Sequence, residues 1–572
     1  MFRTIAIPRR FAQVCRPQVF GWLIVGLLGL VTLWPVAMVI LHSVRAGTPG
    51  GGLVWSLDGW TALSKPIIYT AFATTFSLVA AQQIISMVLG VALAWLLARS
   101  DLPGRDVFEL LFWIPFFLPA LPVTLGWILL LDPQSGLANQ FLLWLLPLQS
   151  APFNIYSFWG IVWVHLSLYT VSVKVMLLTP AFRNIDAAIE EAALMSGCNT
   201  FQAIWRITLP VLMPTLLTVL TLSVIRNMEA FEVELLLGLP ANLYVYSTLI
   251  YDLVRWVPPD YPPAMALGTT FLAILALLVI WQIVYLGSKE YSTVSGRGFR
   301  ADRISLGAWR WPCFALVLLL AIALTIVPMI SLITASFMQI FGFVGAEGSW
   351  TLTHWKSVLA DHAFLSSFRN TIVLGSGTVL CTVILAGVVA YVITRTQFGG
   401  HWVLEALVWI PWGLPGILLG LGLLWMFLGN PVTAPWFGTL PLLILALSVK
   451  ELPMATHMFK TAIAQLSKEL EEAASMAGAS RLASMAHILL PLVARTVFVV
   501  ALVVLVVSTR DTSTVVLLSG ANSRPLSVLM LDYLMESKEY ERAAVVGSVL
   551  AGSVLVAGIL SRIAGYRIGI HT

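Results

Sequence analysis

The amino-acid sequence predicts an all-α polytopic membrane protein of about 12 transmembrane helices, arranged as two tandem six-helix repeats. Three observations support this fold class: an apolar composition, long apolar runs and an internal repeat. Of the 572 residues, 59% are hydrophobic and 10% are charged, whereas soluble domains carry about 25% charged residues. The mean hydropathy is +0.92. The apolar runs are continuous rather than alternating, so we expect helices rather than a membrane β-barrel.

Apolar runs long enough to span a bilayer recur along the chain, since a span needs roughly 20 helical residues. In the first half they lie near 20–42, 66–98, 107–131, 157–180, 207–226 and 264–287. In the second half they lie near 312–336, 367–394, 402–428, 437–459, 489–508 and 543–562. The first run follows a basic start, as a secretory signal does. It is long enough to span and lacks a small-residue cleavage site, so we expect it to be retained.

The distribution of basic residues predicts the orientation, because Lys and Arg are enriched in short cytoplasmic loops. If the N-terminus is cytoplasmic, the following basic residues share its side: Arg99, Arg105, Arg183, Arg206, Lys289, Arg297, Arg300, Arg303, Arg310, Arg562 and Arg567. Opposite loops, such as 227–262, are acidic or mixed. An even number of spans then places both termini in the cytoplasm. The formal net charge of +5 does not indicate nucleic-acid binding.

Two copies of a polar stretch reveal the repeat. "EEAALMSGCNTFQAIWRITLP" at 190–210 recurs as "EEAASMAGASRLASMAHILLP" at 471–491, at the separation of 281 positions from Glu191 to Glu472. Upstream, "WIPFFLP" from Trp113 recurs as "WIPWGLP" from Trp409, a separation of 296. The matched motifs occur in the same order in both halves, which indicates that the whole fold is an internal repeat. We predict a first six-helix repeat at 1–290, a basic cytosolic linker at 291–311 and a second six-helix repeat at 312–572.

The duplicated stretch is predicted to be a short cytosolic helix in each half, near 186–204 and 467–485. Ala193 and Gly197 lie four residues apart on one helix face, as do Ala474 and Gly478. Small side chains let another surface approach the backbone closely. The alternative is an amphipathic connector, but two copies at matched spacing favour a site for a partner that also comes in twos.

Several chemistries have no support in the sequence. Cys15, Cys198, Cys313 and Cys381 are scattered, which indicates free thiols rather than disulfides or a zinc site. No catalytic constellation of Ser, His and Asp or of Cys and His is apparent, so we predict no enzyme activity, and the metal ligands, if any, stay unassigned. No G-x-x-x-x-G-K-[ST] loop occurs, so ATP-driven transport would require a separate ATPase subunit.

The duplicated pattern of Glu-Ala-Ala, three residues, Gly, nine residues and Ile-x-Leu-Pro resembles the coupling loop of binding-protein-dependent ABC importer permeases. The resemblance covers essentially the whole chain and implies the fused two-unit type. It implies that two copies of a cytosolic ATP-binding subunit, which carry ATP and Mg²⁺, dock on these helices, and that this chain binds no cofactor. It also implies an extracytoplasmic substrate-binding protein and a bacterial inner membrane. The implied docking residues are Glu190, Glu191, Ala192, Ala193, Gly197, Glu471, Glu472, Ala473, Ala474 and Gly478.

A single chain with both permease units is most similar to the ferric-iron permeases, with the thiamine permeases next. The segments 237–268 and 508–547 resemble the corresponding ferric-type regions. Where that resemblance leads us to expect Arg-Glu-Leu, this chain has Arg510-Asp511-Thr512. Despite this departure, the resemblance makes ferric iron the expected substrate. Thiamine, a polyamine or another small solute is the alternative.

Four charged residues follow the fifth spans and are candidates for an outer gate or a cation route: Arg226, Glu229, Arg510 and Asp511. The alternative role is that of interfacial caps and salt-bridge partners. Pro119, Pro122 and Pro415 are expected to break the third spans, since broken helices often line a transport cavity.

An ion-coupled secondary transporter is a more distant alternative. Such proteins carry ionisable residues inside the membrane, and the predicted spans contain few of them. We interpret Lys174 as snorkelling to the cytosolic face. Lys450 and Glu451 are interpreted as a solvated or helix-packing pair.

Overall fold

A computed structural model describes residues 9–185, 192, 195–287, 304–343 and 349–567. The first half begins with a long helix and ends with another. Its helices are α1 (Arg9–His42), α2 (Asp58–Ala62), α3 (Pro66–Arg99), α4 (Arg105–Phe117), α5 (Ala120–Leu131), α6 (Leu137–Leu145), α7 (Phe158–Arg183), α8 (Ile204–Met228), α9 (Tyr246–Arg255) and α10 (Tyr261–Gly287). Two short strands, β1 (Arg45–Ala46) and β2 (Val54–Trp55), pair antiparallel between α1 and α2.

The second half repeats this order, except that a three-residue turn (Ala434–Trp436) stands in the place of α6. Its helices are α11 (Gly307–Phe337), α12 (Thr353–Ala360), α13 (His362–Arg395), α14 (His401–Gly413), α15 (Gly416–Leu428), α16 (Leu440–Ala464), α17 (Glu469–Met476), α18 (Met485–Arg510), α19 (Leu526–Met535) and α20 (Tyr540–Arg567). In the described residues, ten helices are long and apolar enough to span a membrane, and two bent helix pairs bring the number to 12. The predicted all-α fold of two six-span repeats is confirmed.

The third span of each half is broken rather than straight. Helices α4 and α5 meet at an angle of 105°, and α14 and α15 meet at 110°. Pro119 and Pro415 directly precede the second limbs, as expected for residues that begin a helix but cannot continue one. Pro122 does not break the chain, because it lies in the first turn of α5 where its missing N–H costs nothing.

Equivalent hydrogen bonds anchor the short helices α9 and α19. The N–H of Tyr246 donates to the Thr75 hydroxyl at 3.1 Å, and the N–H of Leu526 donates to the Thr371 hydroxyl at 2.8 Å. Both bonds satisfy the otherwise unpaired donors of a helix start. We call the end of the molecule that carries α2, α6, α9, α12 and α19 the far face, and the end that carries Gly197 and α17 the near face.

The first helix of each half packs on the other half. A Cβ atom on Gly422 of α15 would lie 2.4 Å from the carbonyl oxygen of Pro35 in α1. On the other side, a Cβ on Gly126 of α5 would lie 2.2 Å from the carbonyl oxygen of Pro328 in α11. Only glycine permits backbones this close. The two repeats therefore exchange their first helices instead of forming two separate bundles.

On the near face, the end of the linker is tied to the first half. The N–H of Ile304 donates to the carbonyl of Arg99 at 2.9 Å, and the N–H of Asp101 donates to the carbonyl of Ile304 at 3.2 Å. The N–H of Leu306 also donates to the Asp101 carboxylate at 2.9 Å. Residues 288–303, which include most of the predicted linker at 291–311, lie outside the described residues.

The exchanged packing predicts a specific stability effect. We expect Gly422→Ala to destabilise the protein by about 1–3 kcal/mol, because its methyl group would overlap the backbone of α1. Gly387→Ala in α13 is the matched control, since no atom lies within 4 Å of the position that its Cβ would occupy. Thermal unfolding in detergent measures both variants. Equal melting temperatures for the two would contradict the close packing.

Candidate functional site

Two arginines each contact an aromatic ring of the opposite half, at the point where the third span of that half is broken. The guanidinium carbon of Arg226, near the end of α8, lies 4.7 Å from the ring centroid of Trp412. The guanidinium carbon of Arg510, at the end of α18, lies 5.6 Å from the ring centroid of Phe116, and the Arg510 guanidinium donates a hydrogen bond to the Phe116 carbonyl. Phe116 and Trp412 are equivalent positions, 296 residues apart. These reciprocal cation–π contacts join the halves across a pseudo-two-fold axis, although Arg510 corresponds to Glu229, three residues from Arg226, at the separation of 281 positions.

A buried ion pair lies beside this axis. The Lys450 ammonium is 2.6 Å from the Asp511 carboxylate, and both side chains are less than a tenth exposed. Lys450 also donates to the Thr514 hydroxyl at 3.1 Å, while the N–H of Thr514 donates to Asp511 at 2.8 Å. Of the two roles interpreted for Lys450 and Glu451, the solvated pair is therefore wrong: Glu451 is buried and the Lys450 side chain is only 9% exposed. Packing between helices fits Lys450, but its partner is Asp511, which directly follows α18.

Further charged and polar groups complete what we call the axial cluster. Arg226 is 3.4 Å from the Glu229 carboxylate, and the Tyr169 hydroxyl donates to the Arg226 carbonyl at 3.4 Å. The members of the cluster are Tyr169, Arg226, Glu229, Glu232, Lys450, Glu451, Arg510 and Asp511. All four residues that the sequence nominated for a gate thus come together here. The cluster holds four carboxylates and three cations, so both signs of charge meet between the halves.

The first half carries a polar network that the sequence interpretation missed. Lys174 is completely buried and donates to the Gln83 side chain at 2.9 Å and to the Thr170 carbonyl at 3.2 Å. Snorkelling of Lys174 is therefore wrong. His165 and Glu234 form a second buried contact, 2.7 Å between ring nitrogen and carboxylate. Buried ionisable groups within a membrane are costly and usually functional.

Helix α17 carries the second copy of the duplicated motif and projects from the near face. Gly478 ends it with a positive φ of 86°, the N–H of Ala479 donates to the Ala474 carbonyl at 3.0 Å, and the N–H of Gly478 donates to the Ser475 carbonyl at 3.1 Å. This Schellman cap explains the glycine. Gly197 has an equivalent φ of 88°, whereas Glu190, Glu191 and Ala193 lie outside the described residues.

The sequence interpretation did not identify two exposed methionines in the duplicated motif, nor the ion pair that holds α17 against α13. Met195 and Met476, 281 positions apart, are 91% and 90% exposed. Glu472 is also exposed, but Glu471 is 3.1 Å from the Arg395 guanidinium and accepts a hydrogen bond from the Tyr391 hydroxyl at 3.2 Å. Arg395 further donates to the carbonyls of Ile463, in the last turn of α16, and of Leu466, which follows that helix. The end of α13 and the start of α17 are therefore joined.

Potential metal ligands are not grouped in the part of the chain that the structure describes. No three His, Cys, Asp or Glu side chains there are placed to hold a metal ion. Cys198, Cys313 and Cys381 are free thiols, as the sequence predicts.

The comparison with known families decides what kind of protein this is. The sequence profile of the "binding-protein-dependent transport system inner membrane component" family matches residues 86–290 and 383–568, once in each half. The chain belongs to this family. It is a fused two-unit permease of an ABC importer and a multi-pass inner-membrane protein.

Curated relatives of the permease are distant but extensive. It is 26% identical over 480 residues to the ferric transport system permease protein FbpB of Actinobacillus pleuropneumoniae, covering 82% of this chain and 67% of that one. It is 25% identical to a probable ABC transporter permease protein of Sinorhizobium fredii, covering 96% and 97% of the two chains. Sulfate and spermidine/putrescine permeases of Salmonella typhimurium match over about half of the chain. A solved bacterial importer of alginate covers 50% of this chain and 100% of its own, with a TM-score of 0.41 and 19% identity.

The buried ion pair of the permease predicts that loss of one lysine of α16 destabilises the protein much more than loss of another. We expect Lys450→Met to destabilise the protein by roughly 3–5 kcal/mol, because it leaves the Asp511 carboxylate buried without its cation. Lys460→Met is the control, since Lys460 pairs with Glu405 at a site more than a third exposed and should contribute at most about 1 kcal/mol. Thermal unfolding in detergent compares them. A Lys450→Met variant as stable as Lys460→Met would contradict this account.

Proposed function

We propose that the permease imports its substrate with energy from two ATPase subunits that bind its near face. On this proposal the near face, both termini and α17 are cytoplasmic, and the far face meets a substrate-binding protein outside the membrane. The observation that carries the proposal is the exposure of two methionines. Met195 and Met476 occupy equivalent positions of the duplicated motif, and both apolar side chains are exposed where a partner could cover them. ATP and Mg²⁺ would be held by the partner subunits.

The proposed coupling route begins at α17. Closure of the ATPase pair on ATP would move α17, and the Arg395–Glu471 contact would pass this movement to α13, a membrane span. The axial cluster lies between the halves and would have to separate for a solute to pass. ATP thus biases a two-state element between inward-facing and outward-facing forms.

Ferric iron is the proposed substrate. Similarity to a ferric transport permease over 82% of the chain supports it, while the shorter sulfate and polyamine matches keep those solutes, together with thiamine, as alternatives. A permease supplied by a binding protein needs a passage rather than a tight site. The mixed charges of the axial cluster would provide carboxylates for a cation and would keep it from binding too tightly.

Docking at the two methionines can be tested directly. We expect Met195→Asp with Met476→Asp to weaken association with the ATPase subunit about tenfold or more, since each buried methionine contributes roughly 1.5–3 kcal/mol. Co-isolation from detergent measures the association. The methionine variants test docking more directly than Gly197→Trp with Gly478→Trp would. Both glycines have a positive φ, so replacing them would also strain the backbone.

Val432→Asp is the matched control for the docking test, because Val432 is 79% exposed and lies on the far face. It should leave co-isolation unchanged. If the double methionine variant retains its ATPase subunit as fully as Val432→Asp, the proposed docking site is wrong.

The substrate can be identified in proteoliposomes that contain the permease, its ATPase subunit and its binding protein. We expect uptake of radiolabelled Fe³⁺ that requires ATP and is absent with ADP. Excess spermidine, thiamine or sulfate should not compete. ATP-dependent uptake of one of these solutes without iron uptake would replace ferric iron as the substrate.

A further inference from the structure

The two short far-face helices meet at their C-terminal ends. Helices α9 and α19 have ten residues each and are equivalent at a separation of 280 positions, as Ser247 and Ser527 show. The hydroxyl of Ser247 donates to the Ala230 carbonyl at 2.6 Å, and that of Ser527 donates to the Asp511 carbonyl at 3.2 Å. Each helix is thus anchored within its own half at its N-terminal end.

An ion pair connects the opposite ends of these helices. Arg255, the last residue of α9, pairs with Glu536, which directly follows α19. Glu536 is one position beyond Met535, the counterpart of Arg255. In a two-fold arrangement, equivalent positions of the two units can touch only beside the symmetry axis. The Arg255–Glu536 pair therefore lies next to the same axis as the axial cluster, on its far-face side.

We propose that the Arg255–Glu536 ion pair is a latch that closes the outer end of the transport path. The proposal rests on the proposed path along the axis and adds the residues that shut it from the outside. A solute delivered at the far face would enter only when α9 and α19 separate and the pair breaks. This assigns the pair a gating role of its own, on the far-face side of the axial cluster.

The two partners are held differently, which suits a contact that must open and close. The guanidinium of Arg255 also donates to the Tyr251 hydroxyl and lies 5.3 Å from the Tyr251 ring centroid, so the first half fixes its position. Asp532, the other carboxylate at this end of α19, pairs with Arg524 at 3.0 Å. Glu536 is therefore the carboxylate that accepts from Arg255 across the axis. The Arg255 and Glu536 side chains are 45% and 52% exposed. A pair this exposed is weak and screened by salt, so it can reopen in every cycle.

Ala230→Cys supplies a reporter thiol below the latch. Ala230 is equivalent to Asp511, is partly buried, and lies beside Glu229 of the axial cluster. The four native cysteines are first replaced by serine. The rate of labelling by a membrane-impermeant thiol reagent, applied to the outer face of cells, then measures how often the outer end is open. The measurement needs neither ATP nor an identified substrate.

We expect Arg255→Glu to raise the labelling rate about fivefold, because it replaces an attractive contact by repulsion and an exposed pair supports a change of that size. Glu536→Arg should do the same. The double exchange Arg255→Glu with Glu536→Arg should return most of the protection. Arg542→Glu is the control, since Arg542 belongs to a far-face ion-pair group within the second half, with Asp361 and Glu539.

Three results would overturn the latch. These are unchanged labelling in both single variants, equal acceleration by Arg542→Glu, and a double exchange that labels as fast as Arg255→Glu. Failure of the latch leaves ATP-driven iron uptake by the unaltered protein intact. Failure of the proposed function would instead appear as absence of that uptake, whatever the labelling rates.

Discussion

The close contact of each first helix with the opposite half is the constraint on which the rest of the architecture depends. Gly422 and Gly126 bring α15 and α5 into backbone contact with α1 and α11. Because α5 and α15 are the second limbs of the broken spans, their positions fix where each break faces. The rings at the breaks then meet the arginines that end the fifth spans. Close packing at the periphery thus determines the charge arrangement at the centre.

The halves share a backbone plan but differ in several charged side chains beside the axis. Ala230 stands where the second half has Asp511, and Tyr169 precedes Lys450 by 281 positions. The buried contacts of Lys174 are likewise built only from first-half residues. Two identical subunits would place every such charge twice beside the axis and would have to desolvate each of them. Fusion into one chain lets a single Lys–Asp pair occupy the centre.

The sequence was sufficient for features that recur along the chain and insufficient for contacts between distant helices. Repeated motifs and apolar runs predicted the two repeats, and the prolines at 119 and 415 predicted the breaks. Hydropathy could not reveal that Lys174 faces Gln83, 91 positions earlier, because burial of a lysine depends on a polar partner from another helix. The duplicated glycines were assigned to close docking, yet their positive φ gives them a local role as helix caps. The gate candidates were found because charges at span ends stand out, but their convergence across the halves was not visible.

The exchange of first helices also governs how the protein is assembled during synthesis. Helix α1 ends at His42, but its packing partner α15 is complete only at Leu428, 386 residues later. At a translation rate of about 5–20 residues per second, α1 waits on the order of half a minute in the bilayer without that partner. Lipid or an insertion factor must cover the surface around Pro35, on which Gly422 of α15 later packs, during that interval. The order of translation therefore leaves the α15-facing side of the first helix without its protein partner until most of the chain has been synthesised.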